Sequence, residues 1–469
     1  MSVDHFLNHY AGLGESKIML REPDGNSDRA ALNPWQSLSQ ESVTSVKIGV
    51  TDLDGILRGK YVSLDKALSA VTDKLGFCNV IFGWDVADSP YGNIGHKGYP
   101  DAGVRLDSRT LRRVPWDDQV PFVLGEFLQS DGTAHPLCPR QVLRRVLDRA
   151  QQTGLTVICG VEFEWFNFSE TPQSWNEKKG VDPQPITPGM FGYSLLRTQA
   201  NSAYIQTLLS EMRAFRIPIE GLHTETGPGV YEVALAYGVA LETADRAVLF
   251  KAGVKEIAHR FGIMPSFMAK WNSRLPGCSG HIHQSLIDGT SNVFYDRRRS
   301  HGMSRLLESY VAGQLRYMGE FGPLYWPNVN SYKRLVDGFW APTTATWGID
   351  DRTASLRVIP AGASSTRLET RCPGADANPY LSIAAAVASG MAGIEEGLSL
   401  VDGHASREML DRNPRTLMDA VERMRGSSIA REWLGEPFVE HFCSTREWEY
   451  EQSLTSVTDW ELKRYLEII

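Results

Sequence analysis

Hydrophobic and polar positions change their period several times along the chain. The first forty residues are polar and carry Gly, Asn, Asp and Pro, which predicts an N-terminal arm with one short helix near His5. From Ser45 the segment SVKIGVTDLDGILRGKYV alternates apolar and polar residues about Asp54-Gly55, a pair that accepts positive φ and closes hairpins. Short strand-like runs follow at Cys78–Phe82 and Val120–Glu126, until HPLCPR breaks the pattern near Pro139. There the period becomes helical in QVLRRVLDRAQQTG, which ends on a glycine. Beyond it helices (Ser202–Phe215, Leu241–Phe261, Asn378–Gly397) mix with strands (Thr156–Asn167, Gly229–Ala236, His281–Leu286, Ser355–Val358, Arg367–Arg371). The pattern predicts a small β-rich domain followed by a large α+β domain, within the two to four domains that 469 residues suggest.

Composition narrows the class. Lys and Arg total 48 against 56 Asp and Glu, a net charge of −8, which argues against general nucleic-acid binding because phosphate neutralisation needs a basic face. The longest small-apolar stretch, Leu381 to Ile394, is too short and too rich in Ser and Gly to span a bilayer. MSVDHFLNHY lacks a basic region followed by an apolar run, so no secretory signal is expected. Six cysteines stand singly with no CxxC, which fits reduced thiols and a cytoplasmic localisation. No Walker loop, GxGxxG, HExxH or GxSxG is present.

The chemistry is carried by short strands with polar groups two residues apart, because alternate residues of a strand point the same way. GVEFEWF puts Glu162 and Glu164 on one face, HIHQS puts His281, His283 and Ser285 on one face, and TRLETR does so for Arg367, Glu369 and Arg371. HTETGPGVYE places Glu225 and Glu232 on either side of a Gly-Pro-Gly turn. Any one pair is most simply a wet strand face. If the faces converge, the five glutamates repel one another, about 4 kcal/mol for two unit charges at 4 Å and an effective dielectric of 20. Hard divalent cations offset such repulsion, and oxygen-rich sites with an occasional imidazole suit Mg²⁺ or Mn²⁺ better than Zn²⁺. Neighbouring arginines then suggest a bound polyphosphate, hence nucleotide-dependent phosphoryl transfer without a P-loop. KRLVDGFWAP and DRTASLR add Arg334, Arg352 and Arg357.

In these segments, in order from about Ser45 to the C-terminus, the chain resembles the glutamine synthetase superfamily: TDLDGILRGK, GVEFEWF, HTETGPGVYE, SGHIHQS, KRLVDGFWAP, RTASLR and TRLETRCPGADANPYL. The resemblance implies a small β-grasp domain (41–135) after the arm (1–40), then a catalytic domain (136–469) on a curved antiparallel sheet, in dodecamers of two hexameric rings. It implies an ATP-dependent ligase with two divalent cations per site, which joins the γ-carboxylate of L-glutamate to an amine through a γ-glutamyl phosphate. One cation would sit on Glu164, Glu225 and Glu232, the other on Glu162, His281 and Glu369. Arg334 and Arg371 would hold glutamate beside the Gly277 backbone, and Arg352 would meet the moving phosphoryl group. Arg357 and Arg367 would touch ATP phosphates, with Glu220, Tyr237, His283 and Ser285 lining the nucleotide pocket. Asp85, or Asp88 in its place, would bind and deprotonate the amine.

One departure is informative. Where ammonia-using members carry a Glu that helps form an ammonium pocket, this chain has Trp340, and Trp84 adds a second indole beside Asp85. An aromatic wall suits an alkyl or aryl acceptor over ammonia; a polyamine, also open, would want extra carboxylates at the pocket mouth. Smaller departures are Ser364, Pro276 and Val230, where many members have Lys, Asn and Gln. Leu398–Arg412 contains no Tyr, which argues against adenylylation of a loop tyrosine. The alternatives are a glutamine synthetase that uses ammonia and a non-catalytic structural relative; a guanidino phosphotransferase fits the domain order less well.

Overall fold

In the computed structural model, which describes Trp35 and residues 37–39, 41–92, 98–400 and 413–469, the alternation after Ser45 becomes a hairpin. The arm helix expected near His5 and positions 401–412 lie outside the described residues. Strands β1 (Ser45–Thr51) and β2 (Leu57–Ser63) pair antiparallel across Asp54-Gly55, where Gly55 takes φ +79°. Helix α1 (Leu64–Thr72), capped by the Ser63 hydroxyl, leads to β3 (Leu75–Cys78), β4 (Asp101–Leu106), β5 (Arg112–Val114) and β6 (Val120–Leu128). They form a six-stranded sheet in the order β2-β1-β6-β4-β3, with β5 also on β6. The run expected as a strand over Cys78–Phe82 departs from that reading. It is extended only to Cys78 and then winds into a 3₁₀ turn, Asn79–Phe82, so that Phe82 packs against Phe127 at 4.9 Å.

Pro139 opens helix α2 (Pro139–Gln152), its missing N–H being one that a first helical turn leaves unpaired in any case. The second sheet is built from β7 (Thr156–Phe168), β8 (Ile219–Thr224), β9 (Val230–Leu235), β10 (Gly238–Val239), β11 (Met264–Ser266), β12 (Gly280–Asp288), β13 (Ser291–Asn292), β14 (Trp347–Ile349), β15 (Leu356–Ile359) and β16 (Arg367–Thr370). Its order is β14-β15-β16-β12-β7-β9-β8, with β10 and β11 on β7 and β13 on β12. All pairs are antiparallel except β14 with β15, an exception at the sheet edge to the antiparallel expectation.

Helices α3 (Ala240–His259), α4 (Arg305–Tyr317), α5 (Pro379–Glu395) and α6 (Glu436–Leu454) complete the larger unit. Alternation along β7 divides its two sides. Val161, Phe163 and Trp165 are buried, with Trp165 at 5.9 Å from Tyr231 and 5.7 Å from Phe250, while Glu162 and Glu164 face the other way. Truncating Trp165 to Ala would cost about 3–5 kcal/mol. The apolar side thus anchors the strand that presents the glutamates. Among the described residues no helix is long and apolar enough to cross a membrane.

Candidate functional site

Strand register brings the polar residues together. Glu162 lies opposite His281, His283 opposite Glu369, and Glu369 opposite Arg357. On the other side of β7, Glu164 lies opposite Glu232, which in turn faces His223. Directly opposed residues share a face of the sheet, so one surface carries Glu162, Glu164, Glu232, Glu369, His223, His281 and His283. Glu225 joins from the turn after β8, where Thr226 Oγ1 donates to its Oε1 at 2.9 Å.

Distances resolve this surface into overlapping clusters. His281 Nδ1 is 3.4 Å from Glu162 Oε2 and 3.5 Å from Glu369 Oε1, and His283 Nε2 is 3.2 Å from Glu162 Oε1. His223 reaches Glu225 at 3.7 Å and Glu232 at 3.6 Å. Ligand atoms within 4.8 Å of one another group as Glu162/His283/Glu369, Glu162/Glu232/His281 and His223/Glu225/Glu232. Glu164 instead turns one oxygen to the backbone N–H of Ser279 at 2.8 Å. The expected carboxylates and His281 therefore meet, with Glu164 directed at the Ser279 backbone. His223 was missed by sequence reasoning; its only signal was a place two residues before Glu225.

Electrostatics show what the clusters lack. Burial pushes the Glu232 carboxyl up, and the charges of Glu164, Glu162 and Glu225 push it further, to about 10. Burial also acts to raise Glu162, but hydrogen bonds and charge from His281 and His283 hold it well below the ordinary range. Glu369 is buried too, yet His281, His283 and Arg371 keep it low. The donor set of carboxylates with imidazoles and no thiolate fits hard divalent cations. His281 is 4% exposed and its Nε2 has no hydrogen-bond partner, an arrangement that protein groups alone leave unfinished.

The arginines line the flank. Arg357 donates to Glu369 and Asp350, both at 2.9 Å, Arg371 donates to Glu369, and Arg367 Nε lies 3.2 Å from His283 Nδ1. Arg371 is buried with Nε unpartnered. Arg334 is 1% exposed and donates to Ser279 Oγ (2.8 Å), Cys372 O (3.0 Å) and Arg371 O (3.4 Å). A Cβ at Gly277 would stand 2.3 Å from Ala269 O and 2.8 Å from Arg334 Cγ, so only glycine lets this backbone lie on the arginine.

The remaining candidates spread around this core. A Cβ at Gly160 of β7 would touch Tyr237 Cβ at 3.4 Å and His283 Cβ at 3.8 Å, so Tyr237 borders the His283 side although its ring is exposed. Ser285 shares the His281/His283 face of β12, and Glu220 on β8 feels the charges of Arg367 and His283. Arg352 stands in the exposed turn between β14 and β15 and acts electrostatically on Tyr193, whose ring stacks on His223 at 4.3 Å. Asp85 is not brought to the cage. Its Oδ1 accepts from the N–H groups of Ala87 and Ser89, both at 2.8 Å, and its charge acts on Glu449 of α6. Asp88 pairs with Arg58 at 2.9 Å, and Arg58 lies 5.3 Å over the Trp84 ring. Trp340 is 58% exposed at φ +61°.

Residues 136–465 match the family model "Glutamine synthetase, catalytic domain". The chain belongs to the glutamine synthetase family. It is 49% identical over 438 residues to "Type-1 glutamine synthetase 2" of Dictyostelium discoideum, covering 90% of this chain and 84% of that protein. It is 36% identical to "Glutamate--isopropylamine ligase" of Pseudomonas sp (92% and 97%) and 35% to "Gamma-glutamylethanolamide synthetase GlnA4" of Streptomyces coelicolor (91% and 93%). The solved structure "Apo GmaS without ligand" superposes with a TM-score of 0.82 at 26% identity, over 93% of this chain and 100% of that one. The fold is that of a glutamine synthetase, with mixed helices and curled sheets, and the chain is an ATP-dependent ligase of that family that forms C–N bonds.

Proposed function

We propose that this ligase joins the γ-carboxylate of L-glutamate to an amine larger than ammonia. In this reading a γ-carboxylate oxygen attacks the γ-phosphorus of ATP and ADP departs. The amine nitrogen then attacks the acyl carbon of the γ-glutamyl phosphate, loses a proton, and phosphate leaves. Glu164, Glu225 and Glu232 would hold one Mg²⁺ or Mn²⁺, and Glu162, His281 and Glu369 the second. Bound there, the cations would offset charge on the transferring phosphoryl group. Arg371, with its unpartnered Nε, and Arg334, which would release a bond to the wall, take the glutamate carboxylates beside Gly277. Arg352 meets the phosphoryl group in flight. Arg357 and Arg367 take ATP phosphates, and Glu220, Tyr237, His283 and Ser285 line the nucleotide pocket. Asp85, supplied by a neighbouring subunit of a dodecamer, accepts the amine proton. All six cysteines are free thiols, in keeping with a cytoplasmic site of action.

Trp340 carries the choice of acceptor. A bulky residue at left-handed φ costs about 1–2 kcal/mol, and an exposed indole returns nothing in core packing. This reading takes that exposed indole as the wall for an alkyl or aryl amine. Two relatives are named for substituted amines, which supports the same reading. A second reading, ammonia as acceptor, is favoured by the 49% identity to a protein named a glutamine synthetase. ATP- and glutamate-dependent phosphate release, measured with ammonia and a panel of alkyl-, hydroxyalkyl-, poly- and arylamines, decides between them. The proposal expects a substituted amine to give the highest kcat/KM; the highest value for ammonia overturns it. Trp340→Glu is expected to gain ammonia activity by about tenfold, roughly the worth of one charge contact at a partly desolvated site.

A further inference from the structure

A shielded carboxylate outside the cage sits at the joint of the wall that carries the two arginines. Asp376 lies in the loop between β16 and α5. Its Oδ2 accepts from the Ser331 hydroxyl at 2.5 Å and from Asn328 Nδ2 at 3.2 Å. Ser331 and Asn328 are themselves tied into one turn, Asn328 N to Ser331 Oγ and Ser331 N to Asn328 O, each at 3.0 Å, and that turn runs directly into Arg334. The other oxygen, Oδ1, is hidden from solvent and has no hydrogen-bond partner. A carboxylate in that position carries a desolvation cost that a neutral side chain would avoid.

The loop around it is held from two more directions. Ala375 N donates to Cys278 O at 3.1 Å and Gly280 N donates to Pro373 O at 2.9 Å, joining the loop to the Gly277–Gly280 stretch. Lys251 Nζ, from α3, donates to Ala375 O at 2.8 Å and Ala377 O at 3.1 Å, the carbonyls on either side of Asp376. A Cβ at Gly374 would stand 2.2 Å from Asp376 Oδ1, so in its present position the carboxylate folds over the glycine.

We infer that Asp376 is a positioning residue for glutamate binding. It locks the turn before Arg334 to the loop after Arg371, so that the two guanidinium groups keep their spacing, and it does so without touching substrate. The inference rests on the reading that these two arginines take the glutamate carboxylates.

Steady-state kinetics of the full chain, with glutamate and ATP varied separately, test it. Asp376→Ala is expected to raise the glutamate KM about tenfold, as the loss of a charge-assisted hydrogen bond would. ATP KM and Mn²⁺ dependence should stay within about twofold. Asp376→Asn keeps an acceptor for the Ser331 hydroxyl and should recover most of the loss, whereas Ser331→Ala should move the glutamate KM the same way by about threefold. Arg371→Lys is the companion variant. An unchanged glutamate KM in Asp376→Ala, beside a raised one in Arg371→Lys, overturns the positioning role alone. An unchanged glutamate KM in Arg371→Lys overturns the reading beneath it, and this inference with it. Equal rises of both KM values in Asp376→Ala, together with a lower Tm, would show a merely structural role and also overturn it. Should Asp376→Ala fail to fold, the glutamate KM of Ser331→Ala decides, a rise supporting the inference and no change overturning it.

Discussion

At Arg140 on α2 three carboxylates converge on one guanidinium, whereas on the β7–β9 face carboxylates converge on one another. Arg140 holds Asp245 through two bonds of 2.8 and 2.9 Å, reaches Asp107 at 2.9 Å, and pairs with Glu126, which Arg144 and Arg105 also contact. Tyr380 OH closes the group on Asp245 at 2.6 Å. This buried knot bolts the N-terminal sheet, through Glu126 of β6, to helices α2, α3 and α5, and its charges are balanced by the protein itself. Glu164, Glu225 and Glu232 have no Arg or Lys ion-pair partner among the described residues, and Glu232 answers with a carboxyl raised to about 10. The same residue type therefore serves two ends. Where arginine supplies the countercharge to every carboxylate they build structure; where it reaches only Glu369, through Arg357 and Arg371, the rest form groups that could hold a cation.

The largest expected effect falls on activity at the carboxylate clusters of the second sheet, Glu369 included although Arg357 and Arg371 pair with it. Glu369→Ala and Glu164→Ala should each lower ligase turnover about a thousandfold or more, because several kcal/mol of charge stabilisation are lost, with assembly intact by size-exclusion chromatography. Near-normal turnover in either variant would contradict the cation assignment. At the balanced knot the loss should fall on stability: Arg140→Ala leaves buried Asp245 without an arginine and takes one partner each from Asp107 and Glu126, which should cost about 3–5 kcal/mol, read as a lower denaturant midpoint. An unchanged midpoint would remove the contrast between the two regions.

Cation dependence sharpens the comparison. Mn²⁺ at about a hundred times its Kd should stabilise the wild-type protein by about 2.7 kcal/mol for each ion bound, reversibly with chelator. Arg140→Ala should show the same increment, and Glu369→Ala a reduced one. The smallest effect concerns pH. Burial acts to raise the Asp107 and Glu126 carboxyls, but Arg109, Arg140 and Arg144 hold Asp107, and Arg140, Arg144 and Arg105 hold Glu126, below their ordinary values. A depressed folded-state value gives stability that is fully present above the ordinary carboxyl range, about pH 4, and is lost as pH falls from there through the depressed value. The metal-free Tm should therefore begin to drop below about pH 5 and go on dropping toward the depressed folded-state values, and Glu126→Gln should flatten that slope. An identical slope in the variant would show that other carboxylates carry the acid sensitivity.

Alternation with a period of two made Glu162 and Glu164, His281 and His283, and Arg367 and Glu369 legible, because each pair sits in one strand, with Arg371 one residue past the end of β16. Which strands pair, and in what register, is set by contacts far apart in sequence. The opposition of Glu164 to Glu232 and of His223 to Glu232 was therefore invisible before folding. Asp376 was hidden for the same reason, since its partners Asn328 and Ser331 lie on a distant turn. Helices α4 and α6 were not anticipated, their apolar positions being mixed with Arg, Glu and Gln. The sequence placed Trp340 in a substrate-facing segment through resemblance alone; its left-handed backbone is a property of the folded chain.

Titration of the full-length protein with Mn²⁺ in the presence of a non-hydrolysable ATP analogue, followed by calorimetry, tests the central claim most directly. Two ions per chain should bind saturably, and Glu225→Gln and Glu369→Ala should each lose one of them. Absence of saturable binding, or two ions still bound in both variants, would contradict the account.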